Sequence, residues 1–106
     1  MRRYHVTATI HEGAEAQVDE VIGKEFAPAI ARQRGFRGVF YGRSGDDGRG
    51  LVLDLDFDTE DDRTKWVQSP EHSEIWPRLR ALIDGVAALG CDSVVEQTHG
   101  VDRATT

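Results

Sequence analysis

The period of the hydrophobic pattern changes repeatedly along the chain, and this succession constrains the fold more than any other feature. Residues 3–11 alternate strictly between two faces, as a half-buried strand does. From Ala14 to about Gln33, apolar residues recur at the spacing of one helix face. Two strand-like runs, residues 36–43 and 51–57, then flank the turn-forming loop SGDDGRG, which predicts a hairpin.

The second half of the chain predicts two more helices and a last strand. Residues 58–59 and 69–70 each have the composition of a helix start. Residues 92–99 are interpreted as the final strand, and residues 100–106 as a flexible C-terminal tail. The second of these helices is predicted to bury a stripe formed by Ile75, Leu79, Leu82, Ile83 and Val86.

Prolines are expected to interrupt both long helices, because proline lacks an amide hydrogen and clashes with the preceding turn. Pro28 is expected to kink or split the first helix near Ala27. Pro77 is expected to break the later helix after Trp76.

The resulting order, β-α-β-β-α-β, predicts an α+β fold of the ferredoxin-like type in one domain, residues 1–99. Right-handed crossovers then give a four-stranded antiparallel sheet, with the first and third strands central and the helices on one face. Strand parity places the following residues on the helix-facing side: Tyr4, Val6, Ala8, Ile10, Phe36, Phe40, Leu51, Leu53, Leu55 and Phe57.

The other face of the predicted sheet mixes charges of both signs with valines and a tyrosine. Its predicted members are Arg3, His5, Thr7, Thr9, Arg37, Val39, Tyr41, Arg43, Val52, Asp54, Asp56, Val95, Gln97 and His99. Arg37 is expected to pair with Asp56 across the hairpin. A plain solvated face is one interpretation, and a sheet that meets a second copy of itself is the one that we favour. We therefore expect a homodimer.

Charge and composition exclude several classes of protein. The chain has 106 residues and a formal charge of −6, and its basic residues are scattered, so no nucleic-acid partner is expected. No stretch approaches the roughly 20 apolar residues of a membrane span, so no membrane partner is expected either. Cys91 is the single cysteine, which fits a reducing, cytoplasmic location.

Two short motifs add to this order of elements. The run GFRG opens the second strand at residues 35–38, and a tryptophan followed by SPEH lies at residues 66–72. With these motifs, residues 3–99 resemble the antibiotic biosynthesis monooxygenase family of the dimeric α+β barrel superfamily. The resemblance implies a homodimer with facing sheets and one pocket per subunit between sheet and helices.

The same resemblance implies an activity. Monooxygenases of this type oxidise electron-rich phenols or quinols with molecular oxygen, and use neither metal nor flavin. Trp66 matches the place of a tryptophan associated with the pocket. The best-studied type has an asparagine and a tyrosine at two further pocket positions, where this chain has Asp62 and His72.

We interpret the stretch WVQSPEHSEIWPRL, residues 66–79, as part of a site, with a plain core segment as the alternative. His72 and Trp66 are the candidate catalytic residues. The positive end of the helix dipole is expected to keep His72 neutral near pH 7, the form that accepts a phenolic proton. The predicted substrate-binding residues are Trp76, Phe26, Phe36, Phe40 and Asp62.

No cofactor or metal is expected. Haem-degrading relatives have an iron-binding histidine ten residues after the tryptophan, where this chain has Trp76, and an asparagine that its first strand lacks. His5, His99 and Asp54 on the outer face form an alternative metal site, although a dimer contact explains them better.

Two functions therefore remain open. The first is a cofactor-independent monooxygenase that oxidises an aromatic phenol or quinol, or a polyketide-type substrate. The second is a non-catalytic dimeric α+β barrel protein that binds a small hydrophobic ligand.

Overall fold

The computed structural model describes residues 1–97 and has the order β-α-β-β-α-β. Its strands are β1 (Arg2–Ile10), β2 (Phe36–Ser44), β3 (Gly50–Phe57) and β4 (Ile83–Asp92). Its helices are α1 (Glu15–Val21), a π-helical segment (Ile22–Phe26), α2 (Ala27–Ala31), α3 (Glu60–Val67) and α4 (Pro70–Arg80). The predicted tail at 100–106, and His99, lie outside the described residues.

The four strands form one antiparallel sheet in the order β2-β3-β1-β4, so the first and third strands are central as predicted. Alternate residues of β1 and β3 are buried against the helices, which gives the α+β, ferredoxin-like architecture. The core includes Val6, Ile10, Val18, Ile22, Phe26, Ile30, Leu51, Leu53, Phe57, Trp66, Ile75, Leu79 and Ile83. None of the helices within residues 1–97 is long and apolar enough to span a bilayer.

The first helical stretch changes its hydrogen-bond pattern where the proline predicts an interruption. The amide of Ala27 bonds to the carbonyl of Ile22, five residues back, and α2 then begins with Pro28 in its first turn. A proline is tolerated there because the first turn of a helix has free amide positions. The predicted split near Ala27 is therefore confirmed, and it takes the form of a π-helical segment that ends at Phe26.

The last strand is not where the sequence pattern places it. Helix α4 ends at Arg80, and residues 83–92 pair with β1, so the strand predicted at 92–99 is wrong. Ile83 and Val86 were predicted on the helix stripe, but they belong to β4. Residues 93–97 lie outside any strand, and Val95 is therefore an exposed residue after the sheet.

A β-bulge at Arg37 overturns the predicted parity of β2. Phe36 pairs with Phe57, but the next pair is Gly38 with Asp56, so Arg37 is the extra residue. Every later side chain of β2 therefore points to the face opposite to the prediction. Val39 and Tyr41 pack against the core, and Phe40 lies on the outer face with 59% of its surface exposed.

The bulge also removes the predicted ion pair between Arg37 and Asp56. Asp56 is bound instead by Arg3, at 2.7 and 2.9 Å from its two carboxylate oxygens. Arg37 lies within 3.7 Å of Asp58 and 3.5 Å of Glu96.

The two predicted helix starts are confirmed by their capping bonds. The Thr59 hydroxyl accepts the amide of Asp62 at 3.1 Å, and the Ser69 hydroxyl accepts the amide of His72 at 3.2 Å. The break predicted at Pro77 is wrong, because α4 continues to Arg80. Pro77 and Ser73 both lie on the exposed side of α4, where water can bond the carbonyl that Pro77 leaves free.

Candidate active site

A cavity of about 180 Å³ lies between the helix-facing side of the sheet and helices α3 and α4. Its floor comes from alternate residues of three strands, and its wall comes from the two helices and the end of the π-helical segment. The lining residues are Tyr4, Val6, Phe26, Leu53, Leu55, Arg63, Trp66, Val67, His72, Trp76, Val86 and Ala88. Apolar walls with a few polar groups are typical of sites for small organic molecules.

Three ring contacts organise the helical wall. Trp66 is 1% exposed and packs edge-to-face on Phe26, with ring centroids 5.6 Å apart. His72 packs edge-to-face on Trp66 at 5.2 Å and stacks on Trp76 at 5.9 Å, with 19° between the ring planes. The imidazole is thus held between two indoles, which fixes its orientation.

Ser69 explains why these rings come together. Its hydroxyl donates to the carbonyl of Trp66 at 2.7 Å and accepts the amide of His72 at 3.2 Å. One side chain therefore connects the end of α3 to the start of α4. This connection is the local reason for the sequence spacing, in which the serine follows the tryptophan by three residues and the histidine follows the serine by three.

Burial and charge both favour the neutral form of His72. Its pKa is lowered from the ordinary value of 6.5, first by desolvation and second by the nearby guanidinium of Arg63. The predicted direction is confirmed, with burial as the main cause. Among residues 1–97, neither ring nitrogen of His72 has a hydrogen-bond partner, and neither is completely enclosed. The ring can therefore accept a proton from a molecule in the cavity.

A charged cluster forms the polar edge of the cavity. The guanidinium of Arg63 lies 4.2 Å from the centre of the Tyr4 ring and donates to Glu60 from two of its nitrogens. Arg2 also lies 2.7 Å from Glu60 and 5.4 Å from the centre of the Tyr4 ring. Hydrogen bonding to Arg63 is the main cause that lowers the pKa of Glu60, burial opposes it, and the charges of Arg63 and Arg2 lower the pKa further.

Four of the seven predicted site residues line the cavity together: Phe26, Trp66, His72 and Trp76. The other three do not. Phe36 packs on Phe57 at 6.3 Å, Phe40 lies on the opposite face of the sheet because of the bulge, and Asp62 accepts the Thr59 hydroxyl at 3.0 Å in the first turn of α3. The predicted positions of Phe36, Phe40 and Asp62 at the cavity are corrected accordingly.

Several lining residues were not predicted. Val86 and Ala88 were missed because their strand was interpreted as the end of a helix. Arg63 was missed although it precedes Trp66 by three residues on the same helix, a spacing that puts two side chains on one helix face. That spacing was the sequence signal from which Arg63 could have been predicted at the cavity.

Other polar clusters do not form comparable sites. His5 Nδ1 lies 2.6 Å from Asp54 on the outer face, while the third member of the alternative metal site, His99, lies outside the described residues. Within residues 1–97, no group of three or more histidine, cysteine and acidic side chains is arranged to hold a metal ion. Two larger depressions, of about 450 and 500 Å³, have no aromatic residue among the described residues that line them.

Comparison with known proteins identifies a family. Residues 1–77 match the profile of the family described as antibiotic biosynthesis monooxygenase. No curated protein has a sequence similar enough to match this chain.

Three solved structures illustrate the similarity of fold. SnoaB from Streptomyces nogalater, a cofactor-independent oxygenase, has a TM-score of 0.79 and 24% identity over 92% of this chain and 94% of its own. A protein from Deinococcus radiodurans has a TM-score of 0.81 and 11% identity over 94% and 99%. One from Bordetella bronchiseptica has a TM-score of 0.77 and 20% identity over 89% and 97%.

Proposed function

The chain belongs to the antibiotic biosynthesis monooxygenase family, and from this premise we propose that it is a cofactor-independent monooxygenase that oxidises an aromatic phenol or quinol, or a polyketide-type substrate. The observation that carries the proposal is the position of His72 between two indoles on the wall of an apolar cavity, where its imidazole has no hydrogen-bond partner among residues 1–97.

The proposed chemistry begins with a proton transfer. Triplet oxygen reacts slowly with closed-shell organic molecules because the direct reaction is spin-forbidden, so the substrate itself must become a reductant. His72 accepts the phenolic proton, and the resulting anion gives up an electron to oxygen far more readily than the phenol does. For a quinol, the balanced reaction consumes one O₂, places one oxygen atom on the ring as a hydroxyl group of the quinone product, and releases the other as water.

Trp66 and Trp76 have a binding role in this proposal. The partly exposed indole of Trp76 offers an apolar surface on which a planar ring can stack, and Trp66, which is 1% exposed, contributes only a small part of its indole to the wall. His72 and Trp66 are the proposed catalytic residues, and Phe26 and Trp76 complete the proposed substrate-binding wall.

Oxygen uptake tests the proposal. The purified protein is mixed with a panel of quinols in an oxygen electrode, together with the variants His72→Ala and His11→Ala. His11 is the matched control, because it is half-exposed, its Nε2 lies 2.9 Å from a carboxylate oxygen of Asp84, and it does not line the cavity. We expect His72→Ala to lower turnover by about 10²–10⁴-fold, the usual contribution of a positioned base, and His11→Ala to leave it unchanged.

The mainly apolar lining also favours the second candidate function, a non-catalytic protein that binds a small hydrophobic ligand. The two candidates differ in their requirement for His72. A ligand that binds in the cavity without oxygen uptake, with equal affinity for wild type and His72→Ala, establishes the binding protein and contradicts the oxygenase.

We also propose that the protein is a homodimer whose sheets face each other. Phe40, Asp54, His5 and Leu89 form one row across all four strands of the outer face. Phe40 and Leu89 are 59% and 65% exposed. Two large exposed apolar side chains on a row whose polar members, His5 and Asp54, are hydrogen-bonded to each other support a surface buried by a second copy. A cytoplasmic location stays a prediction.

A further inference from the structure

The polar edge of the cavity holds a positive charge that the proposed base does not need. Glu60 accepts hydrogen bonds from Arg63 and also lies 2.7 Å from Arg2, so one carboxylate is shared between two guanidinium groups. Asp92 is 3.5 Å from Arg2, and its side chain is 76% exposed. Two guanidinium groups thus share two carboxylates at this edge, and the nearer carboxylate, that of Glu60, is contacted by both.

Arg63 is placed to use this charge. Its Nε and Nη2 atoms bond to Glu60, and Nη2 also lies 3.4 Å from the hydroxyl of Thr64. Within residues 1–97, Nη1 has no hydrogen-bond partner and is not completely enclosed. Stacking on Tyr4 holds the guanidinium plane in place at the cavity. A preorganised guanidinium with a free donor is a strong binder of anionic oxygen.

The volume of the cavity limits the size of its occupant. An engineered apolar cavity of about 150 Å³ takes up benzene, and sites for drug-sized ligands are usually about 300–1,000 Å³. The cavity between sheet and helices measures about 180 Å³. It therefore suits one aromatic ring, or two fused rings, better than a larger fused system.

We propose that Arg63 binds an ionised oxygen of the substrate, so that the cavity selects one- or two-ring aromatic anions over neutral aromatics of the same size. The inference rests on the proposed function, because it takes the same cavity as the substrate site. The anionic oxygen is either a carboxylate on the ring or the phenolate itself. In both cases Arg63 is a specificity-determining residue. With a carboxylate substrate His72 takes the proton of the separate phenol group, and with a phenolate Arg63 stabilises the anion that His72 forms by taking the proton.

Calorimetric titration without oxygen tests the inference by binding alone. The probes are 1-hydroxy-2-naphthoate, its neutral methyl ester and 1-naphthol. At pH 7 we expect wild type to bind the acid about 10- to 100-fold more tightly than the ester, the usual range for a charge-assisted hydrogen bond. Arg63→Gln is expected to abolish this preference.

The matched control is Lys65→Gln. It removes the same charge from the same helix, but Lys65 pairs with Asp61 at 3.0 Å and does not line the cavity. This variant is expected to keep the preference for the acid. Three results would overturn the inference. Wild type could bind the acid and the ester equally, Arg63→Gln could keep the preference for the acid, or Lys65→Gln could lose that preference as fully as Arg63→Gln does. The wild-type ratio needs no variant, so the test survives if Arg63→Gln does not fold.

Two further titrations identify the anion and the size limit. The first follows the binding of 1-naphthol as the pH rises toward the phenol pKa of about 10. If binding tightens in wild type but not in Arg63→Gln, the anion is the phenolate. Preference for the acid with no such pH dependence indicates the carboxylate.

The three-ring 9-anthracenecarboxylate is expected to bind at least about tenfold more weakly than the naphthoate, and equal binding contradicts the size limit. Because binding is measured without turnover, a protein that selects anions but consumes no oxygen contradicts the proposed function and leaves this inference standing.

Discussion

His72 is the side chain whose surroundings most directly connect structure to chemistry. Desolvation and the charge of Arg63 lower its pKa, so the neutral form extends to more acidic pH than for a histidine in water. If His72 is the base, kcat/KM is expected to stay constant across neutral pH and to fall only below about pH 6.5. Measurement of kcat/KM against pH checks this. An acid limb centred above pH 7 would contradict the assignment.

The same shift of pKa predicts how stability depends on pH. The unfolded chain binds a proton at His72 at a higher pH than the folded chain does, so acid favours unfolding. The contribution is therefore fully present above about pH 6.5 and is lost as the pH falls toward the lower pKa of the folded state. Urea unfolding of wild type and His72→Gln at pH 5 and pH 8 checks the sign. Wild type is expected to lose more stability than the variant on acidification.

Trp66 serves the core and the cavity wall together, so its variants must be chosen with care. It is 1% exposed and contacts both Phe26 and His72. Trp66→Ala is expected to cost about 3–5 kcal/mol of stability, which would obscure any effect on function. Trp66→Phe keeps an aromatic ring and is expected mainly to raise KM, because it shortens the stacking surface without removing the base. Steady-state kinetics with an oxidised quinol check this, and an unchanged KM assigns Trp66 to the core alone.

At the scale of helices and strands, some features of the sequence were sufficient to predict the structure and others were not. The caps at Thr59 and Ser69 and the split near Ala27 follow from local chemistry, so they were predictable. The bulge at Arg37 is a property of strand pairing and has no local signal, and it alone moved Phe40 to the opposite face. Ile83 and Val86 continue a helical spacing, yet pairing with β1 overrides that preference. The ring cluster of the candidate site was therefore predictable from local caps, whereas Phe40, Val86 and Ala88 were misplaced or missed because their positions depend on strand pairing.

Two glycines offer a matched test of the helix connections. Gly35 has a φ of +77°, and a Cβ atom there would meet the side chain of Asp62. Gly23 lies exposed in the π-helical segment, and a Cβ atom there would meet nothing within 4 Å. Gly35→Ala is expected to lower stability by at least about 1–2 kcal/mol, and Gly23→Ala to raise it by about 0.5–1 kcal/mol. Urea unfolding checks both, and equal effects would contradict the described turn after α2.

The protein as a whole is expected to function as a pair of chains. Sedimentation at micromolar concentration is expected to give about twice the chain mass of 11.8 kDa. Phe40→Asp replaces one of the two large exposed apolar side chains of the outer-face row by a charge and is expected to shift the equilibrium to monomers. Ala16→Asp adds the same charge to an exposed position of α1 and is expected to leave the dimer intact. A monomeric wild type, or an equal response of both variants, contradicts the facing-sheet assembly.

The central claim is that the cavity beside His72 is the site of an oxygenation. Its most direct test is the transfer of oxygen-18 from ¹⁸O₂ into the product of a quinol that wild type consumes, measured by mass spectrometry. We expect one labelled oxygen atom in each product molecule, and a rate of incorporation that falls about 10²–10⁴-fold in His72→Ala. A product without label, or incorporation at the same rate in His72→Ala, would contradict it.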